Sequence, residues 1–321
     1  MIVIDADAID RVLDRAGMVE ALRRGFREAV VTPVRHHHAM PRAGEDDAML
    51  LLMPAWTDGR AGLDDDAVTG VKIVSVVPGN AKRGLASVVG SYVLMSGVSG
   101  QPLSVLDGTR LTLWRTAGAS ALAADFLARP DARRLVMIGA GALAEHLIEG
   151  HTAIRPIEEV AIWNRSPDKA AALAARFADR PFRVRAVADP EAAIRAADVV
   201  STATMSTTPI VRGDWLKPGV HVDLVGGYTP AMREADDAAI ARARVFVDTR
   251  EGATHEAGDV TQPLASGVLT PERIVGDLPE LCRGTVAGRG GADEITLFKS
   301  VGTALEDLVA ARLVHRAVAD R

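Results

Sequence analysis

The segment from Leu135 to Ala144, LVMIGAGALA, constrains the fold of this chain more than any other. Four apolar residues run directly into Gly139-x-Gly141-x-x-Ala144, and a helix-compatible run follows from Glu145 to Ile154. The order strand, tight glycine turn, helix builds a pyrophosphate site, because the glycines let the backbone approach the phosphates and the helix N-terminus faces the anion. The sequence therefore predicts a dinucleotide-binding Rossmann domain.

The next predicted strand ends in residues that favour NADPH. NAD-specific sites usually carry Asp or Glu about 20 residues beyond the glycine turn. This chain has Asn164, Arg165 and Ser166 there, with Lys169 one helical turn further on. A guanidinium can bind a 2′-phosphate through two hydrogen bonds, whereas a carboxylate would repel it. We therefore expect NADPH, with NADH as a second option; the alternative is that Arg165 is only a solvated charge.

The composition excludes several classes of protein. The 321 residues are 48% hydrophobic and 25% charged, as in globular domains, and the net charge of −5 argues against a nucleic-acid surface. Cys282 is the only cysteine, so no internal disulfide can form, which is typical of a reducing compartment. No signal peptide or membrane-spanning run is visible. We expect a cytoplasmic protein without nucleic-acid or membrane partners.

Hydrophobic periodicity divides the chain into two modules. Residues 9–30 have helical spacing and residues 49–113 contain short β-like runs, which predicts an α+β, largely antiparallel module. An alanine-rich helix, residues 116–127, then precedes alternating strands and helices, as in βαβ units. The strands predicted there are 135–138, 160–163, 183–187, 199–202, 220–225 and 245–247. A final helix, about residues 303–318, is expected to return to the first module. The predicted fold class is α/β, a Rossmann domain plus a discontinuous α+β domain.

Three cations of the first module are candidates for a carboxylate-binding site. Lys72 lies within the apolar run VKIV, Arg115 starts the alanine-rich helix, and Arg35 precedes three histidines, residues 36–38. A cation in such a run needs an anion nearby, and a small carboxylate substrate would supply one. The alternative for each residue is a solvated or salt-bridged charge, and sequence spacing does not bring the three together.

Neither the three histidines nor Asp64-Asp65-Asp66 predicts a metal site. Consecutive side chains point in different directions on a strand, and no HExxH or Cys/His pairing accompanies the histidines. No EF-hand spacing follows the aspartates, which are interpreted as a solvated turn. We expect no metal, and one histidine is a candidate for the lining of a substrate pocket.

Several motifs resemble the ornithine cyclodeaminase/mu-crystallin family. They are the glycine turn, VKIVSVVPGN (71–80), LDGTRLTLWRTA (106–117), LVGG (224–227) and LFKSVGTALED (297–307), which together span nearly the whole chain. The resemblance implies a homodimer with a Rossmann domain, residues 116–298. It implies a substrate-binding and dimerisation domain, residues 1–115 and 299–321.

The resemblance also implies site residues. Arg35, Lys72 and Arg115 would bind the substrate carboxylate, and Val301 would lie near the substrate. The implied cofactor lining comprises the glycine turn together with Ser87, Arg115, Ala142, Leu143, Asn164, Thr204, Val225 and Ser300.

One position separates this chain from the ornithine cyclodeaminases. Those enzymes carry an aspartate directly after Val-Gly-Gly, where this chain has Tyr228. A phenol with an ordinary pKa of about 10 cannot replace that carboxylate as a base or as the partner of a second substrate ammonium. The chain is more similar to bacterial Δ1-pyrroline-2-carboxylate reductases and related ketimine reductases. The segments LLLMPAW (50–56), DTREG (248–252) and ADEITLF (292–298) resemble motifs of these reductases.

The expected reaction is the NAD(P)H-dependent reduction of a cyclic imino acid, within proline metabolism. Δ1-pyrroline-2-carboxylate and/or Δ1-piperideine-2-carboxylate would give L-proline or L-pipecolate. Arg35, Arg115 and Lys72 would hold the carboxylate. Either the substrate arrives as the protonated iminium, or Lys72, or water held by Lys72 or Tyr228, protonates the ring nitrogen. Three alternatives stay open. They are reductive amination of a 2-oxo acid, as in related alanine dehydrogenases, ornithine cyclodeamination, and non-catalytic binding of NADPH or a small ligand.

Overall fold

The chain forms two compact units. The structure is a computed structural model and describes residues 1–62, 64 and 66–319. One unit comprises Met1–Arg115 with Thr303–Arg321, and the other comprises Thr116–Gly302. Across the described residues no helix is both long and apolar enough to cross a membrane.

The first part of the chain supplies most of the first unit. Its elements, in chain order, are β1 (Ile2–Ile4), α1 (Ala6–Val12), α2 (Arg15–Gly25), β2 (Val30–Val31), β3 (His36–Met40), β4 (Ala48–Thr57), β5 (Val68–Val76), β6 (Val88–Ser96), β7 (Pro102–Asp107) and α3 (Gly108–Leu127).

The part of α3 from Thr116 onward and the remaining elements form the second unit, apart from the last helix, which belongs to the first. They are β8 (Arg134–Ile138), α4 (Ala142–Ile154), β9 (Glu159–Trp163), α5 (Pro167–Ala175), β10 (Arg183–Ala186), α6 (Pro190–Ala196), β11 (Val199–Thr202), β12 (His221–Leu224), α7 (Asp237–Arg242), β13 (Arg244–Val247), α8 (Arg250–Glu256), α9 (Gly258–Ser266), β14 (Ile274–Asp277), α10 (Leu278–Arg283), β15 (Thr296–Lys299) and α11 (Ala304–Ala319). Short 3₁₀ turns occur at Gly59–Ala61, Pro78–Arg83, Gly213–Trp215 and Pro271–Arg273.

The first unit is a sheet with helices packed on one face. Its strand order is β1-β7-β6-β5-β4-β2, with β3 beside β4. The pairs are antiparallel, as predicted, except for β1, which the sequence did not predict and which runs parallel to β7. Helix α11 packs against α2 and against β4, β5 and β6. A Cβ atom at Gly25 would collide with Val309, so the glycine lets α2 and α11 approach closely.

The second unit is a parallel sheet of Rossmann type, which confirms the predicted fold class. Its strand order is β10-β9-β8-β11-β12-β15-β13-β14. The order reverses between β8 and β11, and such a switch point opens a crevice at the carboxyl ends of the strands. All the predicted strands are present. The sequence did not predict the short edge strand β14. The last strand along the chain, β15, lies between β12 and β13 in the sheet.

Two predicted boundaries are wrong. The units divide at residue 302 rather than 298 because Val301 and Gly302 donate backbone hydrogen bonds of 2.6 and 2.5 Å to Asp248 in the second unit. Helix α3 begins at Gly108 rather than at residue 116, since the Asp107 carboxylate accepts a 2.7 Å bond from the Arg110 amide and caps the helix. Arg115 therefore lies inside α3.

Replacing Leu297 with alanine should destabilise the second unit by about 2–5 kcal/mol, because this fully buried side chain of β15 lies in the core between the sheet and its helices. Chemical denaturation of Leu297→Ala measures the loss. Met205→Ala is the control, since that side chain is 74% exposed in the same unit. Equal stabilities of the two variants would contradict the placement of β15 in the centre of the sheet.

Candidate active site

Four charged side chains meet in the interior of the first unit. Lys72 on β5 places Nζ 2.7 Å from Asp307 Oδ2 and donates to Asp307 Oδ1 at 2.9 Å. Arg115 on α3 donates from Nε to Asp307 Oδ1 at 3.0 Å and from Nη1 to Glu306 Oε2 at 2.7 Å. None of the four side chains is more than 6% exposed. Asp307 thus bridges the two cations, and we call these four residues the ion cluster.

The environment of Lys72 makes its ammonium more acidic than that of an ordinary lysine. Burial, followed by the positive charge of Arg115, lowers the pKa of Lys72 to about 8, although Asp307 opposes the shift. Tyr92, its cross-strand neighbour on β6, is also buried, and burial together with the charge of Asp307 raises the pKa of its phenol well above the usual value. At neutral pH Lys72 is therefore mostly charged and Tyr92 is neutral.

Arg35 and the three histidines lie at β3 and just before it. The charge of Arg35 is close enough to contribute to the lowered pKa of Lys72. It also lowers the pKa of His37, after burial of that ring. The His36 and His38 rings are exposed and perpendicular, with centroids 6.3 Å apart. Over the described ranges, no three His, Cys, Asp or Glu side chains are arranged to hold a metal ion.

Ser87 and the three aspartates 64–66 are the other predicted features of the first unit. Ser87 is half-buried just before β6, and its carbonyl accepts a 2.7 Å bond from the Val77 amide. Asp64 and Asp66 are exposed, as a solvated turn requires, whereas Asp65 of that motif lies outside the described residues.

The glycine turn of the second unit has the geometry of an anion site. Gly139 has φ 110°, and a Cβ atom there would lie 2.7 Å from the Ala203 carbonyl. A Cβ at Gly141 would meet nothing within 4 Å, so the missing side chain leaves open space in front of α4. Gly141 caps α4 without a side-chain bond, so the first amides of the helix, at Ala142 and Leu143, can bind an anion. These residues fit a dinucleotide pyrophosphate.

The predicted coenzyme-selecting residues follow β9 at the same carboxyl edge. Asn164 donates from Nδ2 to the Ser166 carbonyl at 3.0 Å, which holds the turn between β9 and α5. Ser166 is the N-cap of α5 and makes no side-chain capping bond. Arg165 and Lys169 are exposed, as is Asp168 in the same helical turn. This group can meet a charged substituent of a ribose from the solvent side.

Three more predicted residues follow neighbouring strands of this sheet. Thr204 comes after β11 and donates to Glu234 Oε1 from both its amide and its hydroxyl, at 2.7 Å each. Val225 comes after β12 and donates its amide to the Thr202 carbonyl at 2.9 Å. Ser300 comes after β15 and donates its hydroxyl to Asp248 at 3.3 Å. All three lie at the carboxyl edge, as does Tyr228, which is 48% exposed beyond Val225.

The model of the ornithine cyclodeaminase/mu-crystallin family matches residues 5–321 of the chain. The chain belongs to this family.

The chain is similar to named proteins with more than one activity. A Δ1-pyrroline-2-carboxylate reductase of Paracoccus denitrificans is 38% identical, with 92% of this chain and 94% of the relative covered. The structure of the Thermococcus litoralis Δ1-pyrroline-2-carboxylate reductase, in complex with NADH and L-proline, has a TM-score of 0.91 at 30% identity, covering 100% of this chain and 98% of that one. An archaeal alanine dehydrogenase dimer with bound NAD has a TM-score of 0.90 at 26% identity, covering 100% and 96%.

The sequence did not point to Glu306 and Asp307, the two acidic residues of the ion cluster. Glu306 and Asp307 end the motif LFKSVGTALED, yet the motif alone gave them no role. The available signal was a pair of acids in the first turn of a helix whose residues are otherwise largely buried. The buried carboxylates of Asp248, Glu234 and Asp259 were also missed, because their partners are distant in sequence.

Replacing Asp307 with asparagine should lower the pKa of Lys72 below about 8. The carboxylate stabilises the ammonium, so its loss leaves Lys72 facing the charge of Arg115, and a shift of about one to three units is expected. Asp125→Asn is the control, because Asp125 pairs with Arg155 in the other unit. NMR titration of isotope-labelled lysine side chains measures the pKa of Lys72 in each variant. An unchanged pKa in Asp307→Asn would contradict the contact between Lys72 and Asp307.

Proposed function

We propose that this chain reduces a cyclic imino acid to the corresponding cyclic amino acid with NADPH. The substrate is Δ1-pyrroline-2-carboxylate, Δ1-piperideine-2-carboxylate or both, and the product is L-proline or L-pipecolate. The observation that carries the proposal is the buried ion cluster. Lys72 and Arg115 balance Glu306 and Asp307, and Arg35 adds a third cation whose charge reaches Lys72. Three cations in this neighbourhood suit the binding of a small carboxylate, and the names of the relatives support the same reaction.

Arg115, Arg35 and Lys72 bind the substrate carboxylate in this proposal. The guanidinium of Arg115 is held by two carboxylates from one helix, so its orientation is fixed before the substrate arrives. When bound, NADPH would supply the hydride that the imine carbon accepts.

Lys72 is the proposed proton donor to the ring nitrogen. With a pKa of about 8 its ammonium is largely charged at neutral pH, yet it releases its proton more readily than a lysine with the usual value of 10.5. General acids work best when their pKa lies near the working pH. Tyr228, exposed and phenolic, can hold a water molecule but lacks the charge of a carboxylate base.

The second unit binds the dinucleotide in this proposal. Gly139, Gly141, Ala142 and Leu143 hold the pyrophosphate, and Thr204, Val225 and Ser300 line the rest of the cofactor. Ser87 and Arg115 are assigned to the cofactor by family resemblance alone. Val301 is assigned in the same way to the neighbourhood of the substrate.

NADPH is the proposed coenzyme because of the residues after β9. Arg165 and Lys169 are exposed cations, and residues 164–166 include no Asp or Glu that could bind a 2′-hydroxyl. Asn164 and Ser166 are polar without being charged. Asp168 is the one opposing charge in this turn, so use of NADH at a lower rate fits the same residues.

A homodimer through the first unit is part of the proposal. One face of the sheet is covered by α11, while the other exposes Trp56, Ile73 and Val89 at 38%, 37% and 53%. Cross-strand register places these three side chains on the same face. A second copy would cover this apolar face, and the similar archaeal alanine dehydrogenase is a dimer. The proposed location is the cytoplasm.

Reductive amination of a 2-oxo acid is the second candidate, favoured by the similarity to the archaeal alanine dehydrogenase. It would use the same carboxylate-binding cations but requires ammonia. Loss of activity when ammonia is removed separates the two reactions, because a preformed cyclic imine already contains its nitrogen.

The decisive assay follows NADPH oxidation by absorbance with Δ1-pyrroline-2-carboxylate and, in parallel, with pyruvate plus ammonia. We expect rapid turnover of the imine without added ammonia. Activity only with pyruvate and ammonia would make the chain an amino-acid dehydrogenase. Conversion of ornithine to proline would identify the chain as a cyclodeaminase. Tight NADPH binding without any turnover would identify it as a binding protein.

Replacing Arg165 with alanine should raise the KM for NADPH about tenfold or more and leave the KM for NADH unchanged, because only NADPH carries the 2′-phosphate. Arg185→Ala is the matched control, an exposed arginine of the next strand. An equal effect of Arg165→Ala on both coenzymes would remove Arg165 from the coenzyme site.

A further inference from the structure

A buried charge network lies beneath the loops at the carboxyl edge of the second unit. Lys299, the last residue of β15, donates from Nζ to the Gly226 carbonyl and lies 3.2 Å from Asp259 Oδ2. Asp259 Oδ1 accepts from the amides of Glu234 and Ala235 at 2.8 and 2.9 Å. Glu234 in turn accepts two bonds from Thr204 and, through Oε2, one of 2.7 Å from the Thr202 hydroxyl. Lys299, Asp259 and Glu234, here called the loop bracket, are each 0% exposed.

The loop bracket fixes two loops that follow different strands. Glu234 holds the loop after β11 through Thr204, and Lys299 holds the loop after β12 through Gly226. The space is filled: a Cβ atom at Gly226 would collide with the Thr204 carbonyl and Glu234, and one at Gly227 would lie 3.0 Å from Asp259. Gly227 also has φ 58°, which glycine adopts without strain. Side chains and backbone therefore determine one arrangement of both loops.

The energetics do not favour such a bracket for stability alone. Two carboxylates and one ammonium are removed from water, and burial raises the pKa of Glu234 although Lys299 opposes the rise. Apolar residues of similar volume are often as stable as a buried ion pair or more so. A buried polar network of this kind is useful where loops must keep one geometry while their outer residues bind a ligand.

We propose that Lys299 is a positioning residue for hydride transfer. Acting through Gly226 and Asp259, it holds the loops of Thr204 and Gly226-Gly227-Tyr228 in the arrangement that orients the nicotinamide end of the cofactor. The inference rests on the proposed function. Lys299 is fully buried beneath these loops, so we expect its removal to alter the alignment of the reactants and not the affinity of the carboxylate-binding cations.

Lys299→Met keeps the length of the side chain and removes its charge. We expect kcat for imine reduction to fall about 10- to 100-fold, since small misplacements of reacting groups have effects of this size. The KM for the imine should change little, because Lys72, Arg115 and Arg35 are intact. The matched control is Lys217→Met, whose lysine pairs with Asp198 at 2.8 Å at the opposite edge of the same sheet. Its kcat should equal that of the wild type.

A double variant separates positioning from stability. Lys299→Met leaves Asp259 and Glu234 without their cation, whereas Lys299→Met/Asp259→Asn removes both charges and keeps the acceptor for the two amides. We expect the double variant to regain Tm but not kcat. Recovery of kcat together with Tm, or a wild-type kcat in Lys299→Met, would overturn the proposal.

Amide hydrogen exchange tests the bracket independently of the reaction. Residues 225–229 should exchange faster in Lys299→Met than in Lys217→Met, and equal rates would overturn the proposal. If the wild type itself does not reduce the imine, the proposed function fails, and the exchange rates still decide whether Lys299 fixes these loops.

Discussion

The first unit depends on the ion pair between Lys72 and Asp307, which joins side chains 235 residues apart in sequence. Through Asp307 the final helix of the chain is tied both to β5 and to α3, so the first unit has to be discontinuous. Breaking one partner of a buried pair typically costs about 3–5 kcal/mol, because the other charge stays buried without its counter-ion. The same pair keeps Arg115 oriented. Stability of the unit and readiness for an anionic ligand therefore come from one set of contacts.

At its glycine turn the second unit depends on close approach of backbone rather than on charged side chains. A Cβ atom at Gly139 would collide with the Ala203 carbonyl and one at Gly141 would meet nothing within 4 Å, so the missing side chains shape the crevice at the switch point. Buried charges lie beneath the carboxyl edge of this sheet. Asp248 holds the loop after β15 through the amides of Val301 and Gly302. A rigid support below and open space above suit the binding of a long, anionic ligand.

Sequence predicted the fold where a pattern is local. The glycine turn, the parallel strands and the antiparallel sheet each have a period or a motif within about ten residues, and the family and fold class inferred from them are confirmed. The errors have physical causes. Strand β14 is short and lies at the sheet edge, and the start of α3 depends on a cap from Asp107 that outweighs the β-prone residues Leu111–Trp114. The meeting of Lys72 with Asp307 depends on chain topology, which no spacing encodes.

The residue after Val-Gly-Gly links this structure to the choice of reaction. A cyclodeamination must take a proton from an amine and accommodate a second ammonium, and both tasks need a carboxylate where this chain has Tyr228. Reduction of a cyclic imine makes the opposite demand, because the ring nitrogen has to be protonated before or while hydride reaches carbon. Lys72, with a pKa of about 8, is mostly charged at neutral pH, which suits the role of proton donor proposed for it. The absence of a carboxylate at residue 228 and the lowered pKa of Lys72 therefore support the same proposed reaction.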